Sequence, residues 1–248
     1  MSKEQFYRTE LLLGSQAMHK LHTGQVTIIG LGAVGSYATE ALARAGVGNL
    51  TLIDFDVVSE TNINRQLFAL HSTIGQKKAD LACQRVKDIN PDCNVTPMHL
   101  FVHADTAEQF LNPKPQLIID CIDSLNPKLA LLELATEAGI PIISSMGAAL
   151  RNDPTKIKFG PLKQTNSCPL ARLVRKKLRK IKASIEFDCV YSTEEVWHKN
   201  NHAIVDGNLT DHMDKRRGRV RRSMGSLPTI TGIFGLTLAN EAIKIITK

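Results

Sequence analysis

The apolar and polar positions of the first 150 residues alternate between short β-branched runs and longer segments with helical spacing. The short runs lie at 26–29, 49–53, 94–98, 117–122 and 140–145. The fourth run is almost entirely apolar, which is typical of a parallel strand that is buried on both faces. Strands that alternate with helices predict an α/β fold built on a doubly wound, mostly parallel sheet.

Helical spacing fills most of the segments between these runs. At 3–22, Leu13, Ala17 and Leu21 recur every four positions, which predicts an N-terminal amphipathic helix. Asp105 and Glu108 have the form of a capping box that opens a short helix. Further helices are predicted at 37–45, 75–89 and 127–139.

The pattern changes after residue 150. Short strands are predicted at 156–159 and 188–193, a basic helix at 169–182, a charged loop without a clear period at 198–222 and an apolar helix at 229–248. We expect the last helix to pack back on the sheet. The chain therefore divides into a nucleotide-binding part, 1–150, and an extension, 151–248, with basic helical and loop segments.

The first two predicted strands enclose a glycine-rich turn. Gly30, Gly32 and Gly35 fit the spacing G-x-G-x-x-G, and Ala33 lies inside the turn. Such glycines allow a tight turn, a close approach of the backbone to phosphate and close packing of the helix on the strand. Free amides at the helix start favour an anion, and Asp54 fits the acid that holds a ribose. The turn alone predicts a nucleotide site in a Rossmann-like fold, with NAD as the usual ligand.

Other polar residues follow the ends of neighbouring strands. Asn62 and Arg65 lie beyond the second strand. Lys78 lies in the following helix, and Asp123 lies beyond the fourth strand. Because the carboxyl ends of parallel strands share one edge, we expect these side chains to meet beside the glycine turn. Two cations and a carboxylate that can hold Mg²⁺ favour triphosphate chemistry over hydride transfer.

Several residues near these motifs have structural interpretations. We expect Asp56 to be structural, Lys77 to be a solvated neighbour of the phosphate-binding lysine and Asp120 to end its strand. Cys189 is interpreted as a buried thiol. Cys168 precedes a predicted helix start, where the dipole favours a thiolate, but an inert thiol is preferred there too, and a role for either cysteine stays open.

Composition bears on partners and compartment. The 248 residues carry a formal charge of +7, and the five cysteines include no C-x-x-C pair. An odd number of scattered cysteines suits a reducing cytoplasm. Because the sequence has no C-x-x-C pair, we do not expect a structural zinc ion. The charged first ten residues do not resemble a signal peptide. Polar residues interrupt the apolar stretch at 227–246, so we expect a cytoplasmic protein without an integral membrane span.

The motifs of the first part share an order with a known superfamily. G-L-G-A-V-G, D-F-D, N-I-N-R-Q, G-Q-K-K and C-I-D-S resemble the adenylating domain of the ubiquitin-activating-enzyme superfamily. The resemblance implies ATP and Mg²⁺ as cofactors and a carboxylate that attacks the α-phosphate. It implies that Asp54 binds the ribose. It also implies that Asn62, Arg65 and Lys78 contact the phosphates, and that Asp123 holds Mg²⁺ and the nucleotide.

The second part resembles one branch of that superfamily. FYRTELLLG, DINPDCNV, PLARLVRKKLRK and DCVYSTE are similar to the family of tRNA threonylcarbamoyladenosine dehydratases. The resemblance implies activation of the threonyl carboxylate by ATP, followed by ring closure with net loss of water. Arg8 resembles an arginine that reaches the partner subunit's ATP site, which implies a catalytic role for Arg8 and a homodimer. Simple packing of a surface helix stays an alternative for Arg8.

Basic residues of the second part match an RNA substrate. One set lies on the basic helix and another in the charged loop, and both suit phosphate contacts with salt-dependent affinity. A solvated helix face is the alternative interpretation. The residues proposed to contact tRNA are Arg172, Arg175, Lys176, Arg179, Arg217 and Arg219.

Three other functions remain open at this point. Adenylation of the C-terminus of a sulfur-carrier or ubiquitin-like protein would use the same ATP site but needs an acidic or apolar docking face for the protein tail. A sulfur-relay partner also stays open alongside tRNA. A non-catalytic RNA-binding protein with a vestigial pocket is a second alternative, although the intact Arg65, Lys78 and Asp123 count against it. An NAD oxidoreductase is the third.

Overall fold

The structure is a computed structural model that describes residues 4–196, 204–205 and 223–248. Its centre is a seven-stranded sheet. The strands are β1 (Gln25–Ile29), β2 (Asn49–Ile53), β3 (Asn94–Met98), β4 (Leu117–Asp120), β5 (Ile142–Ser145), β6 (Ile157–Pro161) and β7 (Asp188–Ser192). Their order is β3-β2-β1-β4-β5-β7-β6, and only β6 runs antiparallel to its neighbour. The predicted fold class is confirmed.

Helices cover both faces of this sheet. They are α1 (Tyr7–Leu13), α2 (Ser15–Thr23), α3 (Gly35–Ala45), α4 (Lys78–Ile89), α5 (Glu108–Leu111), α6 (Leu125–Glu137), α7 (Pro169–Lys180) and α8 (Pro228–Thr247). One buried cluster joins the sheet to α2, α3, α4 and α8. The other joins it to α5, α6 and α7. The sheet is therefore buried on both faces, as its apolar strands predict.

Two predicted helices differ from the structure in their bounds. The single helix at 3–22 is divided at Gly14, whose φ of +84° belongs to the left-handed region and ends α1. The helix predicted from residue 75 begins at Lys78. Gly75 has a φ of +83°, and the Lys78 N–H donates to the carbonyl oxygen of Asp56 at 3.1 Å, so 75–77 form a turn against the end of β2.

The capping box predicted at Asp105 and Glu108 is wrong. The capping pair lies earlier, where the His103 N–H donates to the Thr106 hydroxyl oxygen at 3.0 Å. A 3-10 turn, Ala104–Thr106, occupies these positions and precedes α5.

The final helix packs on the sheet, as predicted. It lies against α3 and strands β4, β5 and β7. A side chain at Gly235 would collide with the Val34 carbonyl oxygen, so the two helix backbones approach closely. Within the described residues, α8 is the only helix long and apolar enough to cross a membrane, and half of its apolar window is buried inside the protein. Such burial is typical of a core helix.

The division predicted at residue 150 falls inside one continuous sheet, because β6 and β7 both join it. The loop predicted at 198–222 is wrong for two residues. Ile204–Val205 forms β8 and pairs antiparallel with β9, Ser223–Met224. The rest of that segment, including Arg217 and Arg219, lies outside the described residues.

Candidate active site

The glycine turn brings three backbone segments together at the carboxyl edge of the sheet. Gly30 has a φ of +88°, and a Cβ there would lie 2.9 Å from the Cys121 carbonyl oxygen. A Cβ at Gly35 would collide with the Gly30 carbonyl oxygen. Both positions therefore require glycine, and α3 begins directly over the end of β1. The dipole of α3 favours an anion at this edge.

Asp54 joins the end of β2 to this turn. Its Oδ2 accepts from the Leu31 N–H at 2.7 Å, and its Oδ1 accepts from the Asp56 N–H at 2.8 Å. Burial raises the pKa of the Asp54 carboxyl, and the Lys78 charge and the two amides act in the opposite direction. Each carboxylate oxygen keeps further acceptor capacity. The arrangement suits an acceptor for a ribose hydroxyl.

Lys78 is fixed by an ion pair. Its Nζ lies 3.1 Å from Asp56 Oδ2, with the Lys78 side chain 7% exposed and the Asp56 side chain 33% exposed. An ammonium group has three donors, so two remain for another anion. The ion pair agrees with a structural role for Asp56, and the neighbouring Lys77 is exposed as predicted.

Asn62 and Arg65 lie in the loop that follows β2. Asn62 is buried, and its side-chain oxygen accepts from the Ser59 N–H at 3.2 Å, which caps a 3-10 turn. Arg65 is half-buried, and its Nη1 donates to the Thr61 carbonyl oxygen at 2.7 Å and to Asn64 Oδ1 at 2.8 Å. These bonds orient the loop and engage one terminal nitrogen of the guanidinium.

The loop docks on the glycine turn. The Leu67 N–H donates to the Ser36 hydroxyl oxygen at 3.1 Å in the first turn of α3. A Cβ at Gly32 would lie 3.6 Å from the Gln66 side-chain nitrogen. The structure thus brings the loop carrying Arg65 and the end of β2 to the glycine turn, as the sequence predicts.

A buried charged cluster closes the carboxyl end of β4. Asp120 and Lys128 are fully buried, with Lys128 Nζ 2.5 Å from Asp120 Oδ2. The Ser144 hydroxyl also donates to that oxygen at 2.6 Å, and the Ile122 N–H donates to Asp120 Oδ1 at 3.0 Å. The predicted structural role of Asp120 is confirmed. The cluster fixes the loop that presents Asp123, which is exposed.

Sequence reasoning missed Lys128 and Ser144. A signal for Lys128 was present, because it lies at the helical spacing of Leu131, Leu132 and Ala135, all on the buried face of α6. A lysine on an apolar face predicts a buried acidic partner. No local signal indicated Ser144, since its partner comes from the adjacent strand.

Arg8 lies away from this site within its own chain. It is exposed on α1, and the preceding Phe6 packs against Gly46, which follows α3 at the amino edge of the sheet. The glycine turn lies at the carboxyl edge. Arg8 can therefore serve an ATP site only in a second copy of the chain.

The basic helix α7 divides its charges between two roles. Arg172, Lys176 and Arg179 are exposed. Arg175 is half-buried, and its Nη1 donates to the carbonyl oxygens of Leu162 at 3.1 Å and Thr165 at 2.8 Å. Arg175 therefore fixes the preceding turn, while the other three present positive charge to solvent.

Both cysteines singled out from the sequence are buried. Cys189 is fully buried, and burial raises the pKa of its thiol to about 12. Cys168 is 5% exposed, and its sulfur accepts from the Ala171 N–H at 3.5 Å as the cap of α7. Neither thiol is placed as an accessible nucleophile.

Comparisons with known proteins agree with this geometry. The model of the ThiF family matches residues 7–248. The tRNA threonylcarbamoyladenosine dehydratase of Bacillus subtilis (strain 168) is 45% identical over 176 residues, which cover 71% of this chain and 69% of that protein. The protein of the same name from Escherichia coli (strain K12) is 34% identical over 249 residues, which cover 98% of this chain and 93% of that protein. The solved E. coli tRNA N6-threonylcarbamoyladenosine dehydratase in complex with ATP has a TM-score of 0.85 at 33% identity and covers 98% of this chain and 93% of that chain.

Proposed function

Because this chain belongs to the ThiF family, we propose that it is an ATP-dependent enzyme that cyclises threonylcarbamoyladenosine in tRNA. The observation that carries this conclusion is the near full-length similarity to the ATP-bound E. coli dehydratase, with a TM-score of 0.85 over 98% of the chain. The similarity includes the second half of the chain as well as the nucleotide edge.

The reaction proceeds in two substitutions. The threonyl carboxylate attacks the α-phosphorus of ATP, which forms an acyl-adenylate and releases pyrophosphate. The neighbouring carbamoyl nitrogen then attacks the acyl carbon, loses its proton and expels AMP. The ring closes with net loss of one water from the nucleoside. No enzyme nucleophile is required, in agreement with the burial of Cys168 and Cys189.

The residues at the carboxyl edge match the needs of this chemistry. Amides of the glycine turn and α3 bind phosphate oxygens, and Asp54 accepts from the ribose. Lys78, held by Asp56 at 3.1 Å, and Arg65 stabilise the negative charge on the phosphates. Asn62 holds the loop that carries Arg65 through its bond to the Ser59 N–H.

The donor set at the edge fits Mg²⁺. This ion commonly uses one or two carboxylates together with water and substrate phosphates. Asp123 is the exposed carboxylate, whereas Asp120 is closed off by Lys128. Asp123 would hold the ion, which supplies neutralisation of phosphate charge.

The proposal includes a cytoplasmic homodimer that binds tRNA. The position of Arg8 at the amino edge supports a site completed by a second subunit. The exposed Arg172, Lys176 and Arg179 support contact with RNA phosphates. A sulfur-relay protein is a further proposed partner.

The test is incubation of the protein with ATP, Mg²⁺ and tRNA that carries threonylcarbamoyladenosine. We expect nucleoside mass spectrometry to show loss of one water and expect AMP to form in equal amount. The same tRNA without the modification serves as the control and gives no AMP. Persistence of the open nucleoside would contradict the proposal. Pyrophosphate exchange that requires a carrier protein and no tRNA would support the alternative, adenylation of a carrier C-terminus.

A further inference from the structure

Arg151 is a buried cation with open hydrogen-bonding positions. It follows β5 at the carboxyl edge of the sheet and is 4% exposed. Its Nη2 donates to the Ser167 carbonyl oxygen at 2.7 Å. Its Nε and Nη1 have no hydrogen-bond partner in the described part of the chain. Arginine is always charged in proteins, and a buried charge without a partner is strongly unfavourable.

The nearby carboxylates are occupied elsewhere. Glu194 accepts from the backbone N–H groups of Asn152 and Asp153 at 3.0–3.2 Å. Asp153 Oδ1 accepts from the Thr155 N–H at 2.9 Å. No ion pair joins Arg151 to an acid among residues 4–196, 204–205 and 223–248. The guanidinium therefore lacks a neutralising anion within the described chain.

A second positive feature meets Arg151 at Ser167. That residue precedes Cys168, the cap of the 12-residue helix α7. The helix dipole places positive charge at this end, and the first turn of α7 contains no acidic residue. A buried guanidinium and a helix N-terminus thus converge. Both favour an oxyanion between them.

Hydrogen bonds connect the loop of Arg151 with the loop that carries Arg65. The Leu150 N–H donates to the Gly225 carbonyl oxygen at 2.9 Å. The next carbonyl, of Ser226, accepts from Asn64 Nδ2 at 3.4 Å, and Asn64 in turn accepts from Arg65. The consecutive residues Gly225 and Ser226 therefore connect the loop of Arg151 with the loop that carries Arg65. Since β5 lies beyond β4, away from β1, Arg151 lies on the side opposite the ribose-binding Asp54.

We propose that Arg151 and the start of α7 form a subsite for an oxyanion of the RNA substrate, either the carboxylate of the modified nucleoside or a backbone phosphate. The subsite rests on the proposed function for the identity of the substrate. The planar guanidinium matches both groups. Binding supplies the anion that the buried charge lacks and holds the substrate beside ATP.

The subsite is testable without RNA. Thermal unfolding is followed with sodium sulfate and with sodium chloride at equal ionic strength, with a non-hydrolysable ATP analogue and Mg²⁺ filling the nucleotide site. Sulfate stabilises folded proteins in general because it is excluded from their surface. We therefore expect sulfate to raise the Tm of the native protein above the chloride value by more than it raises the Tm of Arg151→Met. Lys163→Gln, which removes an exposed charge paired with Glu186 at 3.0 Å, keeps the rise.

The variant also tests whether the guanidinium serves the fold. Since no internal partner holds Nε or Nη1 in the described residues, Arg151→Met is expected to fold with a Tm in chloride at or above the native value. An equal sulfate response in native protein and Arg151→Met would overturn the subsite. Failure of Arg151→Met to fold would do the same, because it would show an internal role.

RNA binding then identifies the source of the anion. Kd is measured for tRNA with and without threonylcarbamoyladenosine, with the same ATP analogue present. If the bound anion is the nucleoside carboxylate, Arg151→Met weakens binding of only the modified tRNA, by about tenfold or more. If it is a backbone phosphate, the variant weakens binding of modified and unmodified tRNA by that factor. Unchanged Kd values for both would overturn the assignment to RNA. Failure of the proposed function is separate, since it appears as absence of AMP and cyclic nucleoside with native enzyme, while the sulfate response needs no tRNA.

Discussion

Two buried cations lie at the same edge of the sheet and differ in what surrounds them. Lys128 is closed in by Asp120 and Ser144, with both distances to Lys128 Nζ between 2.5 and 3.1 Å. Arg151 has one backbone partner and two nitrogens without a partner in the described chain. A neutralised buried charge holds the fold together. A buried charge that the described chain leaves without an anion indicates a ligand.

The largest expected effect concerns Lys128, the buried cation that has an acidic partner. Lys128→Met leaves Asp120 buried without its cation, so we expect the free energy of unfolding to fall by about 3–5 kcal/mol. Urea unfolding at pH 7 measures it. Arg151→Met is the matched control and should lose no stability. A Lys128→Met protein as stable as the native one would break the distinction between the two cations.

The next effect compares Lys78, which we propose contacts the phosphates, with its solvated neighbour Lys77. Lys78→Ala is expected to lower turnover by about 10²–10³-fold, because a fixed charge on the phosphates is lost. Lys77→Ala, one residue away and exposed, should stay within about twofold of native by the same reasoning. AMP release with modified tRNA measures both. Equal rates for the two variants would show that Lys78 does not contact the phosphates.

A smaller effect concerns the exposed charges of α7. Arg172→Gln is expected to reduce the slope of log K against log salt for tRNA by about 0.7–0.9, the value for one phosphate contact. Arg175→Gln is the control on the same helix and should leave that slope unchanged, since its guanidinium binds the carbonyl oxygens of Leu162 and Thr165. Equal changes in both slopes would contradict the division of roles within α7.

Asp54 is a buried charge that is only partly compensated. The amides of Leu31 and Asp56 and the charge of Lys78 offset part of the cost of burying its carboxylate. Its pKa is raised in the folded protein, so the folded state holds the proton more tightly than the unfolded state. This contribution to stability is present below the unfolded pKa and is lost as pH rises through the folded value. We expect the stability of native protein relative to Asp54→Asn to fall as pH rises from about 4. A difference independent of pH would contradict the raised pKa.

Local patterns predicted most of the fold and the nucleotide edge. The spacing of Gly30, Gly32 and Gly35 and the acid at Asp54 depend on a single strand–turn–helix unit, so the sequence displays them directly. The left-handed residues Gly14 and Gly75 moved two helix boundaries, because a glycine is compatible with both helix and turn.

Contacts between segments that are distant in the sequence could not be predicted from local patterns. Ser144 binds Asp120 across neighbouring strands, and Arg151 binds the carbonyl oxygen of Ser167, which is 16 residues away in sequence. Arg175 was predicted to contact tRNA, yet a backbone turn ten residues earlier binds it. Charge alone does not distinguish a side chain that faces a ligand from one that faces its own chain.

The contact at Gly235 has a consequence for biosynthesis. Helix α3, which starts at the glycine turn, packs against the 20-residue helix α8, Pro228–Thr247. While α8 is still inside the ribosome, α3 lacks this packing partner, so we expect the nucleotide edge to form only after α8 has emerged. Nascent chains that end before α8 should therefore fail to retain ATP, whatever the state of the residues that touch it.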